Sequence, residues 1–126
     1  MSEKGEDKKS YGSPPEFTPH NFAKWEKLFM GYLMKYVGVV KALEAEEPQV
    51  EKDTFDKTFQ KGKETDKTRQ YVIKIAKRIR RWREKNEKGY SYHLEACKNH
   101  PIALQVILAH GDHIGRYVLA KLRERF

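Results

Sequence analysis

Four side chains of the types that ligate zinc lie near the C-terminal end of the sequence. Cys97 and His100 have the same spacing as His110 and His113, and such pairs occur in zinc sites. The segment between the pairs begins with Pro101 and is strongly apolar, which predicts a helix. That helix would be about 15 Å long, whereas zinc ligands lie about 2 Å from the ion. We therefore expect neither a metal site nor a cofactor.

Acid–base catalysis is a second chemistry that this region could perform. His110, Asp112 and His113 are residue types that transfer protons in enzymes. No serine, cysteine or carboxylate pair is placed to converge with them, and turn residues of this kind commonly cap helices. Gly111 and Gly115 match neither of the glycine-rich phosphate-binding patterns. We therefore expect no enzymatic activity and no small-molecule substrate.

Positive charge is concentrated in one stretch of the chain. Residues 61–88 contain twelve basic and four acidic residues, an excess that equals the net charge of +8 of the whole chain. Lys and Arg at this density bind nucleic-acid phosphates by releasing counterions, and the alternative is a solvated helix face that keeps the protein in solution. The candidate nucleic-acid-binding residues are Lys74, Lys77, Arg78, Arg80, Arg81, Arg83 and Lys85.

The basic residues fall on the longest helical pattern of the sequence. It runs from Thr65 to about Glu87, with Thr65 or Asp66 as its cap, and the first glycine after it is Gly89. Apolar residues at steps of three and four give this helix one side to bury. That predicted stripe consists of Val72, Ile75, Ala76, Ile79 and Trp82.

An aromatic helix is predicted near the start of the chain, between Asn21 and Tyr36. Its apolar residues recur at steps of three and four, which places them on one helical face. Burial of each large apolar side chain contributes roughly 1.5–3 kcal/mol. Asn21 is the expected N-cap. The face consists of Phe22, Trp25, Leu28, Phe29, Tyr32, Leu33 and Tyr36.

Shorter helices are predicted in the rest of the chain. Gly38 precedes a short helix or a bend that is closed by Glu46, Glu47 and Pro48. The next segment is either a short helix that Asp53 caps and that carries Phe55 and Phe59, or a mobile loop. One further helix begins at Pro101, and Asp112 caps the last. The polar residues 1–16 cannot offset their ordering entropy. We therefore expect an all-α domain over residues 17–126, a bundle of about five to six helices, with a flexible arm at residues 1–16. Its expected core is Phe22, Trp25, Phe29, Leu33, Ile75, Ile79, Trp82, Ile107, Val118, Leu122 and Phe126.

The order of these elements resembles the N-terminal part of the capsid region in the Gag protein of Copia-type (pseudovirus) retrotransposons. That family opens with a motif of roughly the form Phe-x-Gly-x-Asn-Tyr/Phe-x-x-Trp and an aromatic helix, although this chain has Pro19 and His20, and no glycine, before Asn21. The opening motif is matched by Phe17, Asn21, Phe22, Trp25, Tyr32 and Leu33, and the later segments by Asn86, Gly89, Tyr90, Ile107, Leu108, Gly115, Tyr117, Leu119, Leu122 and Phe126.

The resemblance implies a structural capsid subunit that assembles with other copies of itself into a shell around the RNA of a retroelement. The basic helix at about 65–87 would face that RNA. The implied location is a virus-like particle in the cytoplasm, with the nucleus as an alternative. A single cysteine, Cys97, and the lack of a long apolar run favour a soluble intracellular protein without a membrane partner. The other interpretation is a monomeric helical module that binds nucleic acid or another protein.

Overall fold

The computed structural model describes residues 12–59, 65–110 and 112–126, and this part of the chain is all-α. Within these residues, a 3-10 turn at Pro19–Asn21 leads into the first of six α-helices, which confirms the predicted fold class. The helices are α1 (Phe22–Leu33), α2 (Val39–Glu44), α3 (Lys52–Thr58), α4 (Asp66–Ala96), α5 (Pro101–His110) and α6 (Gly115–Arg125).

The chain divides into two compact units. One unit comprises Met1–Ala45 with Lys85–Phe126, and the other comprises Glu46–Glu84. The first unit therefore contains α1, α2, α5, α6 and the C-terminal part of α4. The second contains α3 and the N-terminal part of α4, which carries six of the seven candidate nucleic-acid-binding residues.

The core of the first unit is built around aromatic rings. Phe17 is fully buried, and its ring lies 4.9 Å from that of Trp25 and 5.0 Å from that of Phe126. Trp25 in turn stacks on Phe29 at 4.8 Å. Such aromatic pairs contribute about 0.5–1.5 kcal/mol beyond the burial of their area. Of the predicted core, Trp25, Phe29, Leu33, Ile107, Val118 and Leu122 are buried, and Phe22 and Phe126 are partly buried against this cluster.

Two residues of the face predicted for α1 differ from the prediction. Leu28 is not buried, and Tyr36 lies beyond the end of the helix. Leu28 is 55% exposed because it lies at the edge of the apolar face, whereas Trp25 and Phe29 lie at its centre. Tyr36 is buried, although α1 ends at Leu33.

The segment that precedes α1 is held against it by backbone carbonyls. The Tyr32 hydroxyl donates a hydrogen bond to Gly12 O at 2.7 Å, and Trp25 Nε1 donates one to Pro15 O at 3.0 Å. The backbone N–H of Phe17 donates to Ala96 O at 2.9 Å. The part of the expected arm that lies at residues 1–11 is outside the described residues.

Helix α4 continues well past its predicted end at about Glu87. Gly89 was expected to lie beyond the helix, but it is buried inside it. A Cβ at this position would lie 2.7 Å from Cδ1 of Leu43 on α2. The glycine therefore serves close packing between α4 and α2 instead of ending the helix, and the segment from Tyr90 is part of the same helix.

A buried amide joins three elements of the first unit. Asn86 is fully buried, and its Nδ2 donates to Ala42 O at 3.2 Å while its Oδ1 accepts the Arg116 N–H at 2.8 Å. Arg116 Nη1 also donates to Leu43 O at 3.0 Å. The end of α2 and the start of α6 are thereby fixed to α4.

One buried imidazole of the first unit is only half satisfied. His93 Nδ1 lies 2.8 Å from Gly89 O, whereas its Nε2 has no hydrogen-bond partner among the described residues. The ring packs against Phe29 at a centroid distance of 4.6 Å. Burial lowers the pKa of His93 to about 4, partly offset by the hydrogen bond to Gly89.

In the second unit, α3 forms where the sequence predicts a helix, but its N-cap is Glu51 and not Asp53. The rings of Phe55 and Phe59 meet edge to face at 4.9 Å.

The apolar stripe of α4 is narrower than predicted. Ile75 and Trp82 are buried, and Ile79 is half-buried. Val72, at 41% exposure, and Ala76 are exposed, so the expectation that both are buried is wrong. Helical periodicity places Val72 and Ala76 on the flanks of the buried side, where a side chain is buried only if a neighbouring element packs over it.

Replacement of Gly115 by alanine should destabilise the first unit. A Cβ there would lie 3.0 Å from Asn86 O and 3.1 Å from Tyr90 N, and backbone atoms of a helix cannot easily move away. We expect a loss of about 1–3 kcal/mol in the free energy of unfolding, as for other overpacked sites. The matched control is Gly31→Ala on α1, where a Cβ meets nothing within 4 Å and helix propensity should add about 0.5–1 kcal/mol. Urea unfolding measures both, and equal stabilities would contradict the packing argument.

Acid should destabilise the protein through His93. The pKa in the folded state, about 4, lies below the ordinary 6.5, so the unfolded chain binds the proton more readily. The contribution of neutral His93 to the free energy of unfolding is fully present above about pH 6.5 and declines as the pH falls towards 4. At pH 5 the loss is ~2 kcal/mol. Urea unfolding at pH 8 and pH 5 should show a smaller loss for His93→Gln than for the exposed control His20→Gln. Identical losses would exclude His93 as the cause.

Candidate nucleic-acid interface on helix α4

Helix α4 begins with a reciprocal threonine cap. The Thr68 N–H donates to Thr65 Oγ1, and the Thr65 N–H donates to Thr68 Oγ1, both at 3.3 Å. The Thr65 hydroxyl also donates to Thr58 O at 2.6 Å. Two backbone donors of the first turn are thereby satisfied, so the predicted cap at Thr65 places the helix start, and the basic residues that follow, in a defined register.

Within the second unit, five basic side chains share one side of α4. At about 100° per residue, they fall within an arc of roughly 100° and extend over about 21 Å of helix axis. All five are exposed. We call this surface the basic stripe, and it consists of Lys67, Lys74, Lys77, Arg78 and Arg81.

Two of the predicted nucleic-acid-binding arginines lie outside the basic stripe. Helical geometry places Arg83 on nearly the opposite side of α4 from Lys74, and Arg80 on the flank between them. Arg83 Nε donates to Glu47 Oε2 at 2.6 Å. The positive charge of Arg83 is therefore already paired with a carboxylate of the same unit.

Acidic side chains also lie beside the basic stripe at one position. A cleft of about 360 Å³ is lined by Arg78 together with Glu46, Glu47 and Glu51. Among the described residues, Lys67, Lys74, Lys77, Arg80 and Arg81 form no ion pair. The part of the basic stripe that is available to an anionic ligand is therefore Lys67, Lys74, Lys77 and Arg81.

Lys85 belongs to the first unit and is engaged there. It is half-buried, and its Cε lies 3.5 Å from the position that a Cβ on Gly38 would occupy. Lys88, one turn further along, places its Nζ 4.7 Å from the centre of the Tyr36 ring. Lys85 therefore lies against the left-handed turn at Gly38, where φ is +79°. The structure thus does not place Lys85 with the exposed lysines of the basic stripe.

A helix lies between the two pairs of residues considered for metal binding. Helix α5 spans Pro101–His110 between Cys97 and His113. Cys97 is fully buried, and burial raises the pKa of its thiol to about 12. The described residues contain no group of three or more His, Cys, Asp or Glu placed to hold a metal ion. Within the same residues, no helix has both the length and the apolar character needed to cross a membrane.

The sequence pattern does not indicate that acidic side chains lie beside the basic residues of α4. It assigns Glu46, Glu47 and Pro48 only to the end of the second predicted element. The pairing of Glu47 with Arg83 joins residues more than thirty positions apart, so it becomes visible only in the tertiary structure.

Comparisons with models of protein families, with curated proteins and with solved structures found no match to this chain.

The accessibility of the lysines can be tested by limited acetylation followed by peptide mass spectrometry. Lys74 and Lys77 should react several-fold faster than Lys85, because the side chain of Lys85 is half-buried against Gly38. The exposed lysines Lys24 and Lys27 provide the reference rate. A reaction of Lys85 as fast as that of Lys24 would contradict its placement in the first unit.

Proposed function

We propose that this chain is a structural domain of the Gag type that packages RNA, and that the basic stripe of α4 binds RNA phosphates. The observation that carries the proposal is the concentration of exposed positive charge on one side of one helix, in four residues that form no ion pair within the described part of the chain. A protein that needed charge only for solubility would gain as much from scattered lysines. Lys67, Lys74, Lys77 and Arg81 instead follow one line along the helix.

The chemistry of the basic stripe suits the phosphate backbone. Each Lys or Arg that contacts a phosphate releases condensed counterions, which favours binding and makes it strongly dependent on salt. Contacts of this kind position a protein on nucleic acid without reading its sequence. Packaging of a long RNA needs binding of this type, because every subunit must accept whichever segment it meets.

Weak binding at each subunit is sufficient for a shell. Four phosphate contacts give modest affinity, but many copies on one RNA act together because each bound copy raises the effective concentration of the next. Repeated contacts between subunits have the same property, since closed symmetry multiplies one small interface. The proposed function therefore requires no deep pocket and no reactive side chain.

A monomeric nucleic-acid-binding module is the second candidate. It is favoured by one observation: the basic stripe lies entirely within the unit Glu46–Glu84, so a single copy carries the complete surface. Electron microscopy of the chain with long RNA at low salt distinguishes the two candidates. Ordered particles support the packaging domain, and dispersed complexes of single copies support the module.

Binding of single-stranded RNA should depend steeply on salt. With four phosphate contacts, log K should fall with log salt at a slope of about −3, since each contact contributes about −0.7. The variant Lys74→Gln/Lys77→Gln/Arg81→Gln should reduce that slope to about −1. Fluorescence anisotropy of a labelled homopolymer between low and moderate salt measures both values.

The matched control for this experiment removes the same charge elsewhere. Lys24, Lys27 and Lys98 are exposed and belong to the first unit. The triple glutamine variant at these positions should keep a slope close to that of the unmodified chain. Equal effects of the two triple variants would mean that only net charge matters, and the basic stripe would not be the binding surface.

A further inference from the structure

Helix α5 has an outer face without charge. None of its ten residues is Asp, Glu, Lys or Arg, in a chain in which 35% of the residues are charged. Ala103 and Ile107 are buried on the inner side, whereas Ile102 is 54% and Leu108 is 64% exposed. We call the outer side the α5 face, and it consists of Pro101, Ile102, Gln105, Leu108 and Ala109, all exposed.

The α5 face borders a groove with a charged rim. Ile102, Leu108 and Arg125 are among the residues that line a shallow groove of about 700 Å³. A neighbouring recess of about 230 Å³ is lined by Val106, Lys121, Glu124 and Arg125. The rim on α6 therefore carries both signs of charge, with Lys121 Nζ 3.6 Å from Glu124 Oε1. Mixed charge beside an apolar centre is the usual composition of a protein interface.

The charge of the chain indicates what covers this face. Two copies that each carry +8 repel one another wherever their basic surfaces meet. The α5 face itself carries no Asp, Glu, Lys or Arg, so two copies can approach there with less repulsion than at their basic surfaces, and Glu124 of one rim can pair with Arg125 of the other. Closed pairing of identical faces about a two-fold axis is the commonest way in which identical chains associate.

We propose that the α5 face binds the same face of a second copy, with the two α5 helices antiparallel and the two-fold axis near Gln105. Ile102 of each copy then packs against Leu108 of the other, and Glu124 and Arg125 of the two rims can exchange partners across the axis. The proposal deepens the proposed function, because it names the surface that joins subunits, but the pairing itself does not require RNA. The interface is small, and we expect a dissociation constant on the order of 100 µM.

Sedimentation equilibrium of the RNA-free chain in 0.5 M salt tests the pairing. The unmodified chain should change from monomer to dimer between 10 µM and 1 mM, the range set by the expected affinity. The variant Ile102→Glu/Leu108→Glu should weaken pairing by at least about 10-fold, because it places like charges across the axis. The matched control Met34→Glu/Val37→Glu alters two residues that are 71% and 76% exposed outside the α5 face, and it should pair like the unmodified chain.

A charge-complementary variant tests the antiparallel arrangement itself. In Ile102→Glu/Leu108→Lys, each glutamate faces a lysine of the other copy, so at low salt this variant should recover pairing relative to Ile102→Glu/Leu108→Glu, which stays monomeric. Circular dichroism establishes that all variants are folded. Any one of three outcomes would overturn the proposal. The unmodified chain could be monomeric at 1 mM, the double glutamate variant could pair normally, or the complementary variant could show no recovery.

The pairing and the RNA function can fail separately. At 1 µM, where the unmodified chain should be monomeric, Ile102→Glu/Leu108→Glu should bind RNA with an unchanged salt slope. An unmodified chain that stays monomeric at 1 mM but keeps the expected salt slope removes this inference alone. A shallow slope in a chain that pairs normally removes the RNA function alone.

Discussion

The first unit depends on the close approach of three helices at one short stretch of α4. Asn86 uses both ends of its amide, towards Ala42 O and the Arg116 N–H, and Gly89 and Gly115 remove the side chains that would separate the helices. A buried amide that lost one of these partners would have an unsatisfied group, at a cost of about 1–3 kcal/mol. The positions of α2 and α6 on α4 are therefore fixed by hydrogen bonding and by the absence of side-chain volume together.

The two proposed surfaces depend on opposite physical properties. Phosphate binding by the basic stripe, as proposed, would act at a distance, would be weakened by salt and would accept any phosphate chain. The proposed pairing through the α5 face would act only at contact and would depend on the apolar area removed from water. A packaging protein needs both, since the charge that attracts RNA also drives copies apart. In the proposed function, the uncharged α5 face offers the copies a place to meet, and bound RNA would lower the remaining repulsion.

Most of the fold could be predicted from periodicity, and most of the errors arise from contacts that are distant in sequence. The short helix after Gly38 and the apolar helix after Pro101 have local signals that agree with their packing. Gly89 does not, because its role is set by Leu43 on another helix. Periodicity also identifies a buried side without its width, which is why Leu28 and Val72 were misassigned. The basic residues were found by composition, but the partners of Arg83 and the burial of Lys85 required the tertiary structure.

The burial of Cys97 has a practical consequence for the study of this chain. It is the single cysteine of the sequence, and a thiol with a pKa of about 12 provides almost no thiolate at neutral pH. Maleimide dyes and spin labels react with thiolates, so the native chain is close to silent towards them. A cysteine introduced on an exposed helix face would then carry the reporter group by itself, without prior removal of the natural one.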